Sequence, residues 1–270
     1  MPRGILHSLV CTLTLAWQVF PDAPVVVAAN RDEAFGRPSE PPARIEDDPA
    51  IVAPRDAEAG GTWVGYNEHG LFVGITNRWI DADPAADRSR GLLVRDALRQ
   101  ESAEDAARLV ERELDERSYD GFNLVVADAT AAVLFEWDGR LRVSQFDPGV
   151  HVVVNVGADD TFTIPSVRSE VGERQAENAR RLREALQPEP GESSEAWHDR
   201  AATALGDHEY GVCIHGGISE QRSDGSSGSP DGGFGTRSSS LVAIGDEGAS
   251  YRFADGPPCE TDYVRVESHI

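Results

Sequence analysis

The sequence predicts one α+β domain in which helices cover antiparallel β-sheets. Short apolar segments occur in groups, and several alternate apolar and polar residues as half-buried strands do. Turn residues join neighbouring segments, as at Asp138-Gly139, which is typical of antiparallel hairpins. Helical segments separate the strand groups, and no repeat of fixed period is present. The 270 residues, 40% of them apolar, are enough for one large core, and nothing marks a second.

The first half of the chain is expected to contain four strands and then a broken helix. The strands are predicted at residues 11–19, 24–29, 60–66 and 71–76, the last two as a hairpin, and residues 51–53 form a short apolar segment between the second and third. Residues 35–48 are rich in proline and are expected to form a loop. Residues 91–116 are helical in two pieces, because Glu101-Ser102 interrupts the pattern and Ser102 suits an N-cap.

The second half is expected to contain strands, two helices and a final strand pair. Four strands are predicted at residues 122–127, 131–137, 140–145 and 151–156. Helices follow over 168–186 and 193–205, and a loop of low complexity over 216–235. The last strands are predicted at 236–244 and 250–254.

The charge of the chain argues against several classes of partner. It has 47 acidic residues against 25 basic ones, all of them Arg, and a net charge of -22. Such a surface repels nucleic-acid phosphates and anionic lipid head groups, so neither is an expected partner. Because the acidic residues are dispersed, they favour adaptation to the high internal salt of a halophile over a docking patch for a cation. No apolar run approaches the ~18–20 residues that span a bilayer.

The cysteines indicate a reducing compartment. Cys11, Cys213 and Cys259 are too few and odd in number for a disulfide framework, so the cytoplasm is the expected location. His208 and His215 flank Cys213, but this spacing matches no zinc motif. The spacing therefore favours a polar strand or loop at this point, and no metal or cofactor is expected.

Polar residues stand at the ends of several apolar strands. Taken singly, each of these residues is explained equally well as a turn former or as a functional group. Together with Cys11 at the head of the first strand, they predict one shared cleft. The polar ends are Asn30-Arg31-Asp32-Glu33, Asn77-Arg78, Asn155 and Arg237.

Two long segments are similar to the NRDE-motif family, also called the transport and Golgi organisation protein 2 family. They are AANRDEAFGRPSEPP at residues 28–42 and GGTWVGYNEHGLFVGITN at residues 60–77. Shorter matches follow at Phe122-Asn123-Leu124, at Asn155 and at residues 234–239. That family resembles the N-terminal-nucleophile (Ntn) hydrolases of the penicillin acylase and bile-salt hydrolase branch. The resemblance implies a four-layer αββα sandwich with antiparallel sheets.

The resemblance also implies site roles. Cys11 matches the nucleophile at the head of the first strand, and Asp32 matches the carboxylate that holds the α-amine. Asn77 matches the oxyanion-hole Asn, Asn155 the second strand-end Asn, and Arg237 a late Arg near the nucleophile.

Three further residues are expected to contact the substrate. Asn30 fits the branch's R-N-x-D pattern, but Ala29 stands where that pattern has Arg, and Arg31 is shifted. Asn30 and Arg31 are expected near the substrate, and Trp79 is the favoured lining of an apolar acyl pocket. Trp63 and Phe72 are better explained as core.

The Ntn mechanism requires the nucleophile to be the first residue, because its own α-amine is the base. We therefore expect residues 1–10 to be absent from the working protein. Either Val10 marks the true start, since a GTG codon encodes Val within a gene and Met at its start, or residues 1–10 form a short propeptide. The single domain would then span residues 11–270. In the remaining alternative Met1 is genuine and Cys11 is a structural strand residue.

Three functions stay open. The first is hydrolysis of a linear amide, or of a thioester, of an acyl-type small molecule. The second is a non-catalytic carrier for haem or for acyl-CoA or lipid, which the family resemblance also implies. The third is a pseudoenzyme kept for scaffold contacts. The oligomeric state is open as well.

Overall fold

The structure, a computed structural model, describes residues 11–81, 86–216, 233–267 and 270. The interpretations of residues 1–10, and of parts of the polar loop at 81–90 and the loop at 216–235, lie outside the described residues. Within the described part, fifteen strands and four α-helices form an α+β fold. This confirms the predicted fold class.

The elements alternate between strand groups and helix pairs along the chain. The first strands are β1 (Thr12–Phe20), β2 (Ala23–Ala34), β3 (Ser39–Asp47), β4 (Ala50–Asp56), β5 (Val64–Asn67) and β6 (Phe72–Asn77). Helices α1 (Arg90–Ala97) and α2 (Ala103–Glu116) follow. The next strands are β7 (Phe122–Ala127), β8 (Ala132–Trp137), β9 (Leu141–Gln145), β10 (Gly149–Val154), β11 (Gly157–Ala158) and β12 (Thr161–Phe162). The chain continues with α3 (Ser169–Ala185), α4 (Ser194–Gly206), β13 (Phe234–Gly245), β14 (Gly248–Ala254) and β15 (Val264–Arg265).

The strands form two antiparallel sheets. The first has the order β12-β11-β10-β1-β2-β13-β14-β15, and the second has the order β3-β4-β5-β6-β7-β8-β9. Strand β1 is therefore central, with β10 on one side and β2 on the other. Thr12 lies opposite Val154 of β10 and Asn30 of β2. Cys11, which directly precedes β1, thus lies at the end of a strand that is paired on both sides.

Three apolar clusters separate four layers. Leu13 and Val27 of the first sheet pack with Phe72 and Val125 of the second sheet, so the two sheets lie face to face. Helices α3 and α4 pack on the outer face of the first sheet, around Trp197. Helices α1 and α2 cover the outer face of the second sheet. The layers are therefore helices, sheet, sheet and helices, which is the expected αββα sandwich.

Two predicted elements differ in the structure. Residues 39–47, expected to be loop, form the edge strand β3, whose register against β4 shifts twice. An edge strand tolerates proline, because its outward N–H groups need no partner, and Pro41 and Pro42 lie there. Strand β2 continues to Ala34, so Asn30 and Asp32 lie inside a strand and not beyond its end. The short strands β11, β12 and β15 were not predicted.

No helix among the described residues is both long enough and apolar enough to cross a membrane.

Candidate functional site

A cavity of about 800 Å³, counting the space at its mouth, opens beside the head of β1. Its walls come from both sheets and from the start of α1. They contain apolar groups such as Val64 and Ile75 together with several charged side chains. The lining residues are Cys11, Thr12, Leu13, Ala29, Asn30, Arg31, Asp32, Glu33, Arg37, Asp56, Thr62, Trp63, Val64, Ile75, Thr76, Asn77, Ser89, Arg90, Gly91 and Ser240.

Cys11 lies directly before β1 and is partly buried. Its backbone nitrogen donates to Asn155 Oδ1 at 3.0 Å. Its Sγ lies 3.7 Å from the backbone oxygen of Asp32 on β2. In the chain as printed this nitrogen is a peptide amide joined to Val10. The cysteine is therefore held at the cavity by its neighbours on both sides.

Asn155 links Cys11 to the second sheet. Its Nδ2 donates to the backbone oxygen of Asn77 at 2.8 Å. Its Oδ1, which accepts from Cys11, also accepts from Gln175 Nε2 of α3 at 2.8 Å. Because every polar atom of this buried amide is bonded, its orientation is fixed. Asn155 therefore sets the position of the Cys11 nitrogen relative to the end of β6.

Asp32 is a buried carboxyl with one unpaired oxygen. Its Oδ1 accepts from Thr236 Oγ1 at 2.6 Å, across the pairing of β2 with β13. Its Oδ2 is buried and has no hydrogen-bond partner in the part of the chain that is described. Burial raises the pKa of Asp32 well above its usual range, although the Thr236 hydrogen bond and the charge of Arg31 oppose the shift. The unpaired oxygen leaves room for one more donor.

The Cys11 thiol is poorly ionised in the chain with Val10 attached. Burial, and next to it the negative charge of Asp32, raise its pKa to about 12. A thiol with this pKa is protonated at neutral pH and is a weak nucleophile. Nucleophilic attack by Cys11 therefore requires a base that removes the thiol proton, and a backbone nitrogen in peptide linkage to Val10 is not one.

Three guanidinium groups give the cavity a cationic side. Arg31 lies 4.0 Å from the centre of the Trp63 ring and 3.6 Å from Glu33, and its Nη1 is buried without a hydrogen-bond partner among the described residues. Arg37 binds Asp56 at 2.7 Å. Arg90 donates to the backbone oxygen of Gly121 at 2.7 Å. The unpaired edge of Arg31 can bind a ligand carboxylate or phosphate.

One wall of the cavity is a contact of backbone with backbone. The nitrogen of Thr62 donates to the oxygen of Gly91 at 3.0 Å. A Cβ placed on Gly61 would lie 2.2 Å from the carbonyl carbon of Gly91, so no side chain fits at Gly61. The start of α1 is therefore packed directly against the segment that precedes β5.

The structure brings most of the predicted site residues together. Cys11, Asn30, Arg31, Asp32 and Asn77 line the cavity, and Asn155 bonds two of them. Asn30 also fixes the fold, because its Nδ2 donates to the backbone oxygens of Leu205 and Val212.

Two predicted residues lie elsewhere. Trp79 does not line this cavity; it packs in the core between the first sheet and its helices, under the guanidinium of Arg168. Trp63, which the sequence assigned to the core, lines the cavity instead. Arg237 is the extra residue of a β-bulge between Thr236 and Ser238 and is not part of the lining. The bulge changes the alternation of β13 at this point, which a strand pattern cannot show.

Sequence reasoning missed two residues that hold the site, Thr236 and Gln175. Both are bonded to site residues far away in the chain, Asp32 and Asn155. Thr236 did lie within the shorter match at residues 234–239, which was the available signal. A separate group of possible metal ligands, His208, Cys213, His215 and Cys259, lies on the loops after α4 and β14.

Known proteins resemble the chain in sequence and in fold. The sequence profile of the family described as Transport and Golgi organisation 2 matches residues 10–255. The Transport and Golgi organization 2 homologs of Mus musculus and Homo sapiens are 31% and 32% identical over 111 residues. That stretch covers 40% of this chain and 40% of each relative, so the match spans well under half the length of the curated relatives.

Among solved structures, penicillin V acylase from Agrobacterium tumefaciens matches with a TM-score of 0.55 and 14% identity, over 94% of this chain and 86% of that chain. The Caenorhabditis elegans ortholog of N-acylethanolamine-hydrolyzing acid amidase matches with a TM-score of 0.50 and 11% identity, over 86% and 92% of the two chains. At these identities the likeness shows a shared Ntn-hydrolase fold.

Proposed function

The chain belongs to the Transport and Golgi organisation 2 family, and from that premise we propose that it is an N-terminal-cysteine hydrolase of a linear amide or thioester. The substrate is an acyl-type small molecule. The observation that carries the proposal is the unpaired, buried Oδ2 of Asp32. The backbone oxygen of the same residue lies 3.7 Å from the sulfur of Cys11, and its carboxylate charge acts on that thiol. A free α-amine on Cys11 would supply a donor and a positive charge at this point. It would also be the base that the thiol lacks.

The proposed chemistry begins after the bond between Val10 and Cys11 is broken or was never made. The α-amine takes the proton of the thiol while Sγ bonds to the carbonyl carbon of the substrate. Asn77 lines the cavity at the end of β6, where its side chain can stabilise the oxyanion. The amine then gives its proton to the leaving nitrogen or sulfur as that bond breaks.

The second half-reaction releases the acyl group. Water attacks the thioester on Cys11, the α-amine takes a proton from the water, and the carboxylic acid leaves as the proton returns to sulfur. Asp32 and Asn155 act as positioning residues for the amine throughout. Arg237 follows Thr236 on β13, and Thr236 donates to Asp32. In this proposal Arg237 is a positioning residue: it affects Asp32 only by way of this segment of β13.

The cavity favours a ligand with an acyl chain and a negatively charged group. Val64, Ile75 and Trp63 supply apolar surface, and the free edge of Arg31 supplies a cation. The names of the structural neighbours, an acylase and an acid amidase, support amide hydrolysis as the reaction class.

A comparison of two forms of the protein tests this function. One form begins at Cys11 after removal of an initiator methionine, and the other retains residues 1–10; intact mass verifies each start. Both are assayed in high salt against a panel of N-acyl amides and acyl thioesters with and without a carboxylate. We expect turnover only in the form that begins at Cys11, because only that form has the base. Cys11→Ala in that form should bind the substrate but not cleave it.

A non-catalytic carrier is the second candidate, and one observation favours it: the raised pKa of Cys11 in the chain with Val10 attached. A carrier of acyl-CoA, lipid or haem needs the cavity but not a reactive thiol. If the form that begins at Cys11 binds an acyl ligand as tightly as Cys11→Ala does and cleaves none of the panel, the hydrolase proposal fails and the carrier stands.

A further inference from the structure

Two cysteines and two histidines form a compact cluster on the loops that follow α4 and β14. The candidate ligand atoms of His208, Cys213, His215 and Cys259 all lie within 4.8 Å of one another. The two Sγ atoms are 3.4 Å apart. Nε2 of His215 lies 2.8 Å from Sγ of Cys259 and 3.9 Å from Sγ of Cys213. The rings of His208 and His215 meet edge to face, with centroids 4.9 Å apart.

The fold brings these groups together from two remote segments. His208 lies in a short 3-10 turn, His208–Tyr210, just after α4, and Cys213 and His215 follow on the next loop. Cys259 comes from the turn after β14. That turn packs against the end of α4, because a Cβ on Gly206 would lie 3.2 Å from the nitrogen of Cys259. The cluster therefore ties the C-terminal segment to the loop after α4.

The loop that carries two of the four ligands is held rigidly. The backbone oxygen of Val212 accepts from Asn30 Nδ2, and the nitrogen of Ile214 donates to Thr236 Oγ1 at 2.8 Å. The nitrogen of Thr236 in turn donates to the oxygen of Ile214. Cys213 and His215 therefore flank a residue that is fixed to β13, and their positions are set by the sheet.

We propose that His208, Cys213, His215 and Cys259 bind one Zn²⁺ ion, or a similar thiophilic divalent metal, in a tetrahedral structural site. Zinc bonds of ~2.3 Å to sulfur and ~2.0 Å to nitrogen place tetrahedral ligand atoms roughly 3.3–3.8 Å apart. The observed separations of 2.8–3.9 Å among the three ligand atoms measured lie around this spacing. His208, His215 and Cys259 are exposed, so rotations of their side chains can bring the four ligand atoms to this spacing around the buried Cys213.

The carboxylate of Glu260 lies near the second ring nitrogen of the candidate ligand His215. Oε1 of Glu260 lies 3.7 Å from Nδ1 of His215, on the ring nitrogen opposite the cluster. A carboxylate near the second nitrogen of a metal-bound imidazole orients the ring and strengthens the ligand. A disulfide between Cys213 and Cys259 is the competing explanation, but it gives no role to two histidines that converge on the same sulfurs.

This site is distinct from the proposed reaction centre but mechanically connected to it. Ile214, between two of the ligands, is bonded to the hydroxyl of Thr236, and that hydroxyl donates to Asp32. A metal that fixes the loop therefore also fixes the donor that orients Asp32. The spacing of His208, Cys213 and His215 favoured a polar loop because the fourth ligand lies 44 residues beyond His215 and has no local signal.

Metal analysis of the purified full chain tests the proposal. The protein is expressed with added Zn²⁺ and desalted, and the metal is counted by mass spectrometry. The metal is then removed and replaced by Co²⁺ under reducing conditions. We expect one Zn²⁺ per chain. The Co²⁺ form should show the visible bands of a tetrahedral ion and a thiolate charge-transfer band. His215→Ala and Cys259→Ser should weaken Zn²⁺ binding more than about 100-fold in a competition with a chelator.

Two variants control for other sites. Cys11→Ala removes the third thiol, and His69→Ala removes an exposed histidine outside the cluster; both should keep the metal and the Co²⁺ spectrum. The proposal is overturned if the reduced chain takes up no metal. It is also overturned if protein purified with Zn²⁺ contains a disulfide between Cys213 and Cys259, which intact mass detects as the loss of two hydrogens. Loss of the Co²⁺ spectrum in Cys11→Ala would overturn it as well. Circular dichroism of each variant separates loss of metal from loss of fold.

Discussion

At the scale of single residues, the site depends on buried polar groups whose partners are far away in the chain. Asp32 is held by Thr236 across 204 residues, and the nitrogen of Cys11 is held by Asn155 across 144 residues. A buried polar atom that loses its partner costs more than the hydrogen bond itself contributes. The contacts of these few side chains therefore affect both stability and geometry.

Thr236 offers a direct test of that dependence. Its hydroxyl donates to Asp32 and accepts from the nitrogen of Ile214, and the residue is buried. Thr236→Val keeps the shape but removes both bonds, so we expect the free energy of unfolding to fall by about 1–3 kcal/mol. Thr236→Ser retains the hydroxyl and is the matched control. Denaturant titration of the three proteins measures the difference, and equal stabilities of the Val and Ser variants would contradict the assigned hydrogen bonds.

The sequence identified the site residues that belong to recognisable segments and missed those that do not. Asn77 and Asp32 stand in long segments similar to the family, and both line the cavity. Gln175 lies in the middle of α3, where a glutamine on a helix carries no local sign of contact with Asn155. The choice between Trp63 and Trp79 depends on which sheet face each ring meets, and that is a property of the assembled layers.

At the scale of elements, local patterns predicted several of the buried strands and capped helices well. Strand β7 was predicted with its observed bounds, and the break between α1 and α2 falls where Ser102 caps α2 through the nitrogen of Asp105. Strand β3 was missed because prolines and exposed charges mask an edge strand, whose pairing is supplied by β4 alone. The two-residue strands β11 and β12 are too short for any periodicity.

A buried histidine on α4 is expected to make the stability of the fold depend on pH. His198 lies on its buried face, where its Nε2 lies 3.2 Å from the oxygen of Val27, and burial lowers its pKa to about 4. Between pH 6.5 and 4 the unfolded chain therefore binds more protons at this histidine than the folded protein does, so stability falls as the pH falls. We expect this group alone to cost about 2 kcal/mol between pH 7 and 4.5.

His198→Gln retains a donor for Val27 but does not titrate. Urea unfolding of both proteins at pH 7 and 4.5 measures the effect, because the acidic residues that also titrate in this range are common to both. The variant should lose less stability than the parent on acidification. Identical losses would show that His198 is already protonated in the folded state at pH 4.5.

At the scale of the whole molecule, charge dominates the surface. The net charge is -22, and arginines form pairs with acids over much of the described surface, such as Arg95 and Arg99 with Glu46. Exposed pairs contribute little each, whereas the excess of negative charge repels itself throughout the molecule. We propose that the protein works in high salt, where the distance over which charges act shrinks from ~10 Å at 0.1 M to ~3 Å at 1 M.

Salt should therefore stabilise the fold. We expect the midpoint of thermal unfolding to rise by several degrees between 0.1 M and 2 M KCl, because screening removes repulsion mainly from the compact state. A variant with Glu111, Glu116 and Glu173 replaced by Gln removes three exposed negative charges and should show a smaller rise. Scanning calorimetry at both salt concentrations compares the two proteins. If the midpoint of the variant rises by the same amount, the stabilisation is a general effect of the salt and does not come from screening of these charges.

The close backbone contact between Gly61 and Gly91, beside the cavity, limits how the ligand range of this fold can change. Neither residue has a side chain to shorten, so no substitution at either position makes the cavity wider there. Larger ligands therefore require smaller groups elsewhere in the lining, where Trp63 is the largest side chain and Arg31 is one of three arginines. Both also form the apolar and cationic surface that would recognise an acyl anion. A substitution that enlarges the cavity at Trp63 or Arg31 would therefore also weaken its selectivity for an acyl anion. Related sequences that accept bulkier ligands should differ at these two positions first.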